Sequence, residues 1–180
     1  MSEINYDIQV IDNFLPEDEA RAISDHMIGF DAQFPWFYNH AVVNYHESEE
    51  DDIHNHQFTH IFYNNWSPTP SFNLILPLAM KLNPIGWQRI KANLNPVTSK
   101  KVQYTFHTDF QAENVPCAKT AIYYLNTNNG VTIFEDGAGT QVESVFNRMV
   151  IFDQRIPHTG TTCTDQKVKS LINFNFIERE

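Results

Sequence analysis

His107 and Asp109 stand two residues apart in His107-Thr-Asp109, closing the run Val102-Gln-Tyr-Thr-Phe. Side chains alternate across a strand, so in an extended segment both project to one side. A second histidine, His158, follows 49 residues after Asp109 in Ile156-Pro-His-Thr-Gly160, just past the strand-like run Arg148–Asp153. Two imidazoles and one carboxylate cover one face of an octahedral metal ion and leave its other positions open. That donor set suits non-haem Fe(II). The open positions are what O2 and a second reactant need in order to reach one ion together. Eleven residues beyond His158 comes Lys169, the one cation in the row Lys169, Leu171, Asn173, Asn175. A buried ammonium needs an anionic partner. A dicarboxylic acid bound to the metal at one end and to Lys169 at the other would supply it.

These residues need strands to hold them. From Arg89 onward short runs recur between turn signals: Arg89–Asn95, Val102–Asp109, Lys119–Asn126, Val131–Glu135, Thr140–Val145, Arg148–Asp153 and Lys169–Ile177. Asn95-Pro96, Asn128-Asn-Gly130 and Asp136-Gly137 mark bends. Many short strands at such spacing predict a sandwich or barrel. Lys169–Phe176 and Arg89–Asn95 each alternate between an apolar face and a polar one. Ile90, Ala92 and Leu94 oppose Arg89, Lys91, Asn93 and Asn95; Ile172, Phe174 and Phe176 oppose Lys169, Asn173 and Asn175. Apolar faces packed on helices and polar faces lining a wet interior satisfy both strands together.

The helices belong to the first half. Glu17-Asp-Glu begins a helix with an acidic first turn, and Ala20, Ile23 and Met27 form its buried stripe. A second helix is expected over about 71–82, stopped by Asn83-Pro84. Between them, 34–66 reads as an irregular excursion with one or two strands. It carries five histidines, His40, His46, His54, His56 and His60, and the acidic run Glu47–Asp52. These could suggest a second metal site, but the segment reads better as a lid or rim, with Trp36, Phe37 or Trp66 near the substrate. The expected organisation is one domain over 1–180, with 1–88 as helical and irregular support and 89–180 as the barrel core.

Composition bounds the partners. With 180 residues, 42% apolar and 19% charged, the chain can bury a core and is not a disordered polymer. Aromatics at 13%, led by 14 Phe and 7 Tyr, favour strands. Twelve basic against 22 acidic residues, a net charge of −10, argue against nucleic acid as a main partner. Cys117 and Cys163 are too few for a disulfide framework and read as free, inert thiols. The start MSEINYDIQV lacks a secretory pattern, and the longest apolar stretch, Phe72–Met80, is too short to span a bilayer. A soluble cytoplasmic protein is the expectation.

Taken together, His-X-Asp at a strand end, a distant His-X-Gly and a cation 11 residues later resemble the iron- and 2-oxoglutarate-dependent oxygenases, most closely their prolyl-4-hydroxylase-like branch. Ile11-Asp-Asn-Phe-Leu-Pro16 with its acidic helix is similar to that branch's opening. Ala121-Ile-Tyr-Tyr-Leu-Asn126 followed by Gly130-Val-Thr-Ile-Phe134 is similar to its Tyr-Leu-Asn and Gly-Gly-X-Thr-X-Phe segment. The resemblance covers most of the chain, 34–66 only loosely, and the size fits small phage-type members. It implies a double-stranded β-helix, a jelly-roll or cupin-like barrel, mainly β with flanking helices. It also implies an oxidoreductase: a dioxygenase that couples oxidative decarboxylation of 2-oxoglutarate, with O2, to hydroxylation of an unactivated C–H bond. The implied substrates are prolyl or related amino-acid and peptide groups.

By position, the resemblance makes His107, Asp109 and His158 the Fe(II) ligands and Lys169 the partner of the far carboxylate of 2-oxoglutarate. Tyr124 falls where a relative's tyrosine hydroxyl contacts the cosubstrate. Asn95 falls where some relatives carry another tyrosine, and Asn175 where relatives place an aromatic near the substrate. Val131 replaces the second glycine of the Gly-Gly pair. Lys167 and Arg155 are rival anion binders. A cupin-like enzyme using the same three ligands with another metal, and a non-catalytic barrel acting as a binding module, stay open as alternatives.

Overall fold

The structure is a computed structural model that describes residues 4–42, 53–109, 115 and 117–179. Its strands are β1 (Gln9–Ile11), β2 (Phe37–Asn39), β3 (Gln57–Asn64), β4 (Ser67–Pro68), β5 (Gly86–Pro96), β6 (Ala118–Tyr124), β7 (Val131–Phe134), β8 (Gln141–Glu143), β9 (Met149–Asp153), β10 (His158–Gly160) and β11 (Val168–Ile177). Helix α1 spans Glu17–Ile28. A 3-10 turn over Pro70–Ile75 leads into α2, Leu76–Leu82. The break falls before Pro77, which lacks the N–H an unbroken helix would need there.

All pairings are antiparallel. The large sheet runs β1-β9-β6-β11-β5-β3-β2, with β4 on the outside of β3, and the small sheet runs β10-β7-β8. Strands from before residue 86 thus extend the same sheet that the later strands build. The run 102–109, expected as a strand, is not regular. It touches the small sheet at two isolated bridges, Gln103 to Thr161 and His107 to His158.

Period-two alternation makes two cores. On one face of the large sheet Ile90, Ala92, Ile172 and Phe174 pack against the stripe Ala20, Ile23 and Met27 of α1 and against Leu78 of α2. On the other face Ile122, Tyr124, Val150 and Phe152 meet Phe134 and Val142 of the small sheet. Burying each such side chain contributes about 1.5–3 kcal/mol. Asn147 ties the α1 entry to the barrel: its side chain exchanges hydrogen bonds with both Leu15 backbone groups, at 2.8 and 2.9 Å. It does so at φ +61°, a conformation asparagine tolerates better than most residues. Among the described residues no helix is long and apolar enough to cross a membrane.

The second core does not fill the space between the sheets. Beyond it, toward β10 and the segment 103–109, the facing side chains turn polar and leave a cavity. Its floor is the polar row of β5 and β11. Their register pairs Asn95 with Lys169, Asn93 with Leu171, Lys91 with Asn173 and Arg89 with Asn175.

Candidate metal centre

His107 and His158 meet across a two-bond bridge: the His107 N–H donates to the His158 carbonyl at 3.0 Å, and the His158 N–H returns a bond at 2.9 Å. Each ring is steered by its own chain. His107 Nδ1 donates to the Thr105 carbonyl at 3.2 Å and His158 Nδ1 to the Ile156 carbonyl at 3.3 Å. With Nδ1 protonated, Nε2 of each ring is left as a lone-pair donor, as in histidines that ligate metal while their other nitrogen bonds a carbonyl. Phe152 and Phe134 wall in the His158 ring, with centroids at 4.9 and 6.2 Å.

Asp109 completes the group. Ligand atoms of His107, Asp109 and His158 lie within 4.8 Å of one another, the only such set of three among the described residues. His158 Nε2 is 4.0 Å from Asp109 Oδ2. Bonds of about 2.1 Å to nitrogen and oxygen donors allow ligand atoms up to roughly 4.2 Å apart, so that pair spans the gap a divalent ion fills. The donor set therefore fits the ion the sequence pointed to.

The Asp109 carboxylate is held from below by residues the sequence reading left without this role. Arg89 Nη2 donates to Oδ1 at 3.0 Å, Asn173 Nδ2 to Oδ2 at 3.1 Å, and Asn175 Nδ2 to Oδ2 at 3.0 Å. Burial alone would raise the Asp109 carboxyl. The His158 and Arg89 charges and the Asn175 hydrogen bond outweigh it and hold the group below its usual range, so it stays an anion. Burial pushes the His158 imidazole down, toward the neutral form that ligates metal. Asn175, placed by analogy beside the substrate, is instead fully buried. It also accepts from Arg89 Nε at 3.2 Å and donates to Thr120 at 3.0 Å. The parity of β11 pointed it inward; only the position of Asp109 reveals what it meets.

Lys169 lines the same cavity as the triad, four residues along β11 from Asn173. It is 2% exposed, and among the described residues its ammonium donates to two main-chain carbonyls, Val131 at 2.8 Å and Thr161 at 3.1 Å. Burial pushes it down to about 7. The rival cations are disposed of otherwise. Arg155 pairs with Asp153 at 2.6 Å, and Lys167 is exposed. A Cβ on Gly130 would lie 2.9 Å from Lys169 Cδ, so the glycine makes room for the lysine stem.

Asn95 also lines the cavity and donates to the Tyr104 hydroxyl at 3.3 Å. A tyrosine therefore reaches this spot from the 103–109 segment rather than from β5. Tyr124 is buried in the second core, its hydroxyl 2.7 Å from that of Thr132, whose side chain lines the cavity. Burial raises the Tyr124 phenol, which stays protonated.

The aromatics expected at the rim do not line the cavity. Trp36 donates to the Met27 carbonyl at 3.1 Å and packs on the helix-side core, while Phe37 and Trp66 are exposed. His60 is buried, its Nδ1 on the Pro35 carbonyl at 2.8 Å. His46 and the acidic run 47–52 lie outside the described residues. Cys163 is a free, buried thiol.

No protein-family model matches the chain, and no curated protein is similar to it in sequence. Solved structures do match. A prolyl hydroxylase from Trichoplax adhaerens, solved in complex with a hypoxia inducible factor oxygen degradation domain peptide fragment, superposes with TM-score 0.66 at 14% identity, covering 94% of this chain and 83% of that one. A prolyl-4-hydroxylase from Pseudomonas putida gives 0.56 at 18%, covering 96% and 93%. A 2OG-Fe(II) oxygenase family oxidoreductase from Burkholderia pseudomallei gives 0.66 at 12%, covering 96% and 86%. The resemblance read from the motifs thus extends to the whole barrel, and the chain has the double-stranded β-helix fold of the 2-oxoglutarate- and Fe(II)-dependent oxygenases.

Proposed function

We propose that this protein is an Fe(II)- and 2-oxoglutarate-dependent dioxygenase that hydroxylates an unactivated C–H bond of an amino-acid or peptide substrate. The observation that carries the reading is one cavity lined both by a His-Asp-His donor set and by a buried lysine that has no carboxylate partner among the described residues. A cupin-like hydrolase or isomerase has no use for that lysine.

His107, Asp109 and His158 hold the iron, each donor oriented before the ion arrives. When bound, the ion activates O2 for decarboxylation of the keto acid and hydroxylation of the substrate. Lys169 receives the far carboxylate of 2-oxoglutarate and so sets which end faces the triad. Asn95 with Tyr104, and Thr132 backed by Tyr124, offer hydrogen bonds along the cosubstrate. Arg89, Asn173 and Asn175 keep Asp109 ionised and fixed. Phe134 and Phe152 exclude water from behind His158.

The test is O2-dependent conversion of 2-oxoglutarate to succinate by the iron-loaded protein. Slow uncoupled turnover in the wild type, lost in His158→Ala with the circular-dichroism spectrum retained, is the expected result. Turnover that persists in His158→Ala would remove that histidine from the site.

A further inference from the structure

Lys91 is a second cation in the cavity, and the cosubstrate reading leaves it without a role. It sits on the polar face of β5 opposite Asn173, whereas Lys169 sits opposite Asn95. Four residues of strand, about 13 Å, separate the two rungs, so the far carboxylate held at Lys169 is not the group beside Lys91. Arg89 and Asn173 already occupy Asp109, whose charge acts on Lys91 without direct contact, and Lys91 makes no ion pair or hydrogen bond among the described residues.

Beside Lys91 are acceptors without donors. Asn173 is 6% exposed and lines the cavity. Its Nδ2 must face the Asp109 carboxylate, which accepts and cannot donate, so its Oδ1 is turned away and has no partner. Asn93, two residues along β5 and also lining the cavity, has a buried Oδ1 without a partner as well. Leaving a buried acceptor unpaired is costly, and a ligand N–H would offset that cost.

Resting on the dioxygenase reading, we propose that the substrate is a free amino acid: its carboxylate pairs with Lys91 and its amino group donates to Asn173 and Asn93. Main-chain carbonyls hold Lys169, while Lys91 lies next to the rung that positions Asp109, so the substrate is held beside the metal ligand. An internal peptide residue has no α-carboxylate to offer Lys91.

The test is calorimetry on the protein loaded with Mn(II), which binds oxygen and nitrogen donors without turnover. It is titrated first with 2-oxoglutarate and then with each of the twenty standard L-amino acids and its carboxamide. At least one free acid is expected to bind about tenfold tighter than its carboxamide, the scale of one charge-assisted hydrogen bond. Lys91→Gln should abolish that preference, and Lys91→Arg should retain it. The Kd for 2-oxoglutarate should change less than about threefold in both variants. The inference is overturned if no amino acid binds, if acid and carboxamide bind alike, if the preference survives in Lys91→Gln, or if Lys91→Gln weakens 2-oxoglutarate instead. A wild-type protein that takes Mn(II) but not 2-oxoglutarate overturns the dioxygenase reading itself, which is a different result from any of these.

Discussion

The side-chain amide of Asn175 donates to Oδ2 of Asp109 at 3.0 Å, across 66 residues of chain. The carboxylate that would ligate the metal therefore depends on the last strand of the barrel as well as on its own segment. That segment is irregular and cannot fix a side chain by itself. The central ladder supplies the rigidity, through Arg89 on β5 and Asn173 and Asn175 on β11.

Asn175→Ala should lower metal affinity by about 10–100-fold, the usual scale for losing an outer-shell partner of a ligand. The variant removes a donor to Asp109 and an acceptor for Arg89 while leaving all three ligands in place. Competition against a chelator of known affinity measures it. Unchanged affinity would mean that Arg89 and Asn173 hold Asp109 unaided.

Binding of 2-oxoglutarate should weaken as pH rises above 7. Lys169, pushed down to about 7 by burial, is mostly neutral above that pH and must take up a proton to receive a carboxylate. Linkage gives an apparent Kd that is nearly flat below pH 7 and rises about tenfold per pH unit above it, until the pKa in the complex is reached. Titrations at pH 8 in buffers of different ionisation heat should report uptake of close to one proton. Lys169→Arg, charged throughout, should flatten the profile. A flat wild-type profile from pH 6 to 9 would contradict the assignment.

Gly130→Ala should weaken 2-oxoglutarate more than metal. The added methyl would stand 2.9 Å from both Lys169 Cδ and the Asn128 side-chain oxygen, so the lysine stem must move. The triad is not in the path. A loss of about tenfold in cosubstrate affinity, or 1.4 kcal/mol, with metal affinity held within about twofold, is the expected pattern. Equal losses in both would point to a general collapse of the β7 end of the cavity.

Legibility of the sequence followed regularity of the backbone. The polar and apolar rows of β5 and β11 were readable because long strands keep strict parity, and parity alone sent Lys169, Asn173 and Asn175 to one side. The helix stripe Ala20, Ile23 and Met27 was readable for the same reason at period 3.6. What each inward residue meets was not readable. It depends on how far 103–109 has drifted from the large sheet, and two isolated bridges are its only strand-like pairings among the described residues. So Asn175 was expected against substrate and is found on Asp109. Tyr104, three residues before His107 where no period helps, was not expected at all. The strand β10 is three residues long, too short to show a period, yet it carries His158. Trp36 was expected at the rim because it is aromatic and lies in an irregular stretch; its indole N–H instead finds the end of α1.

The most direct measurement is an anaerobic titration of Fe(II)-loaded protein with 2-oxoglutarate, followed by visible absorption. The triad and Lys169 sharing one cavity predict a weak charge-transfer band that saturates with one equivalent of keto acid and disappears in His107→Ala. Tight Fe(II) binding with no band at any concentration of 2-oxoglutarate would contradict the cosubstrate assignment, and absence of Fe(II) binding would contradict the metal centre itself.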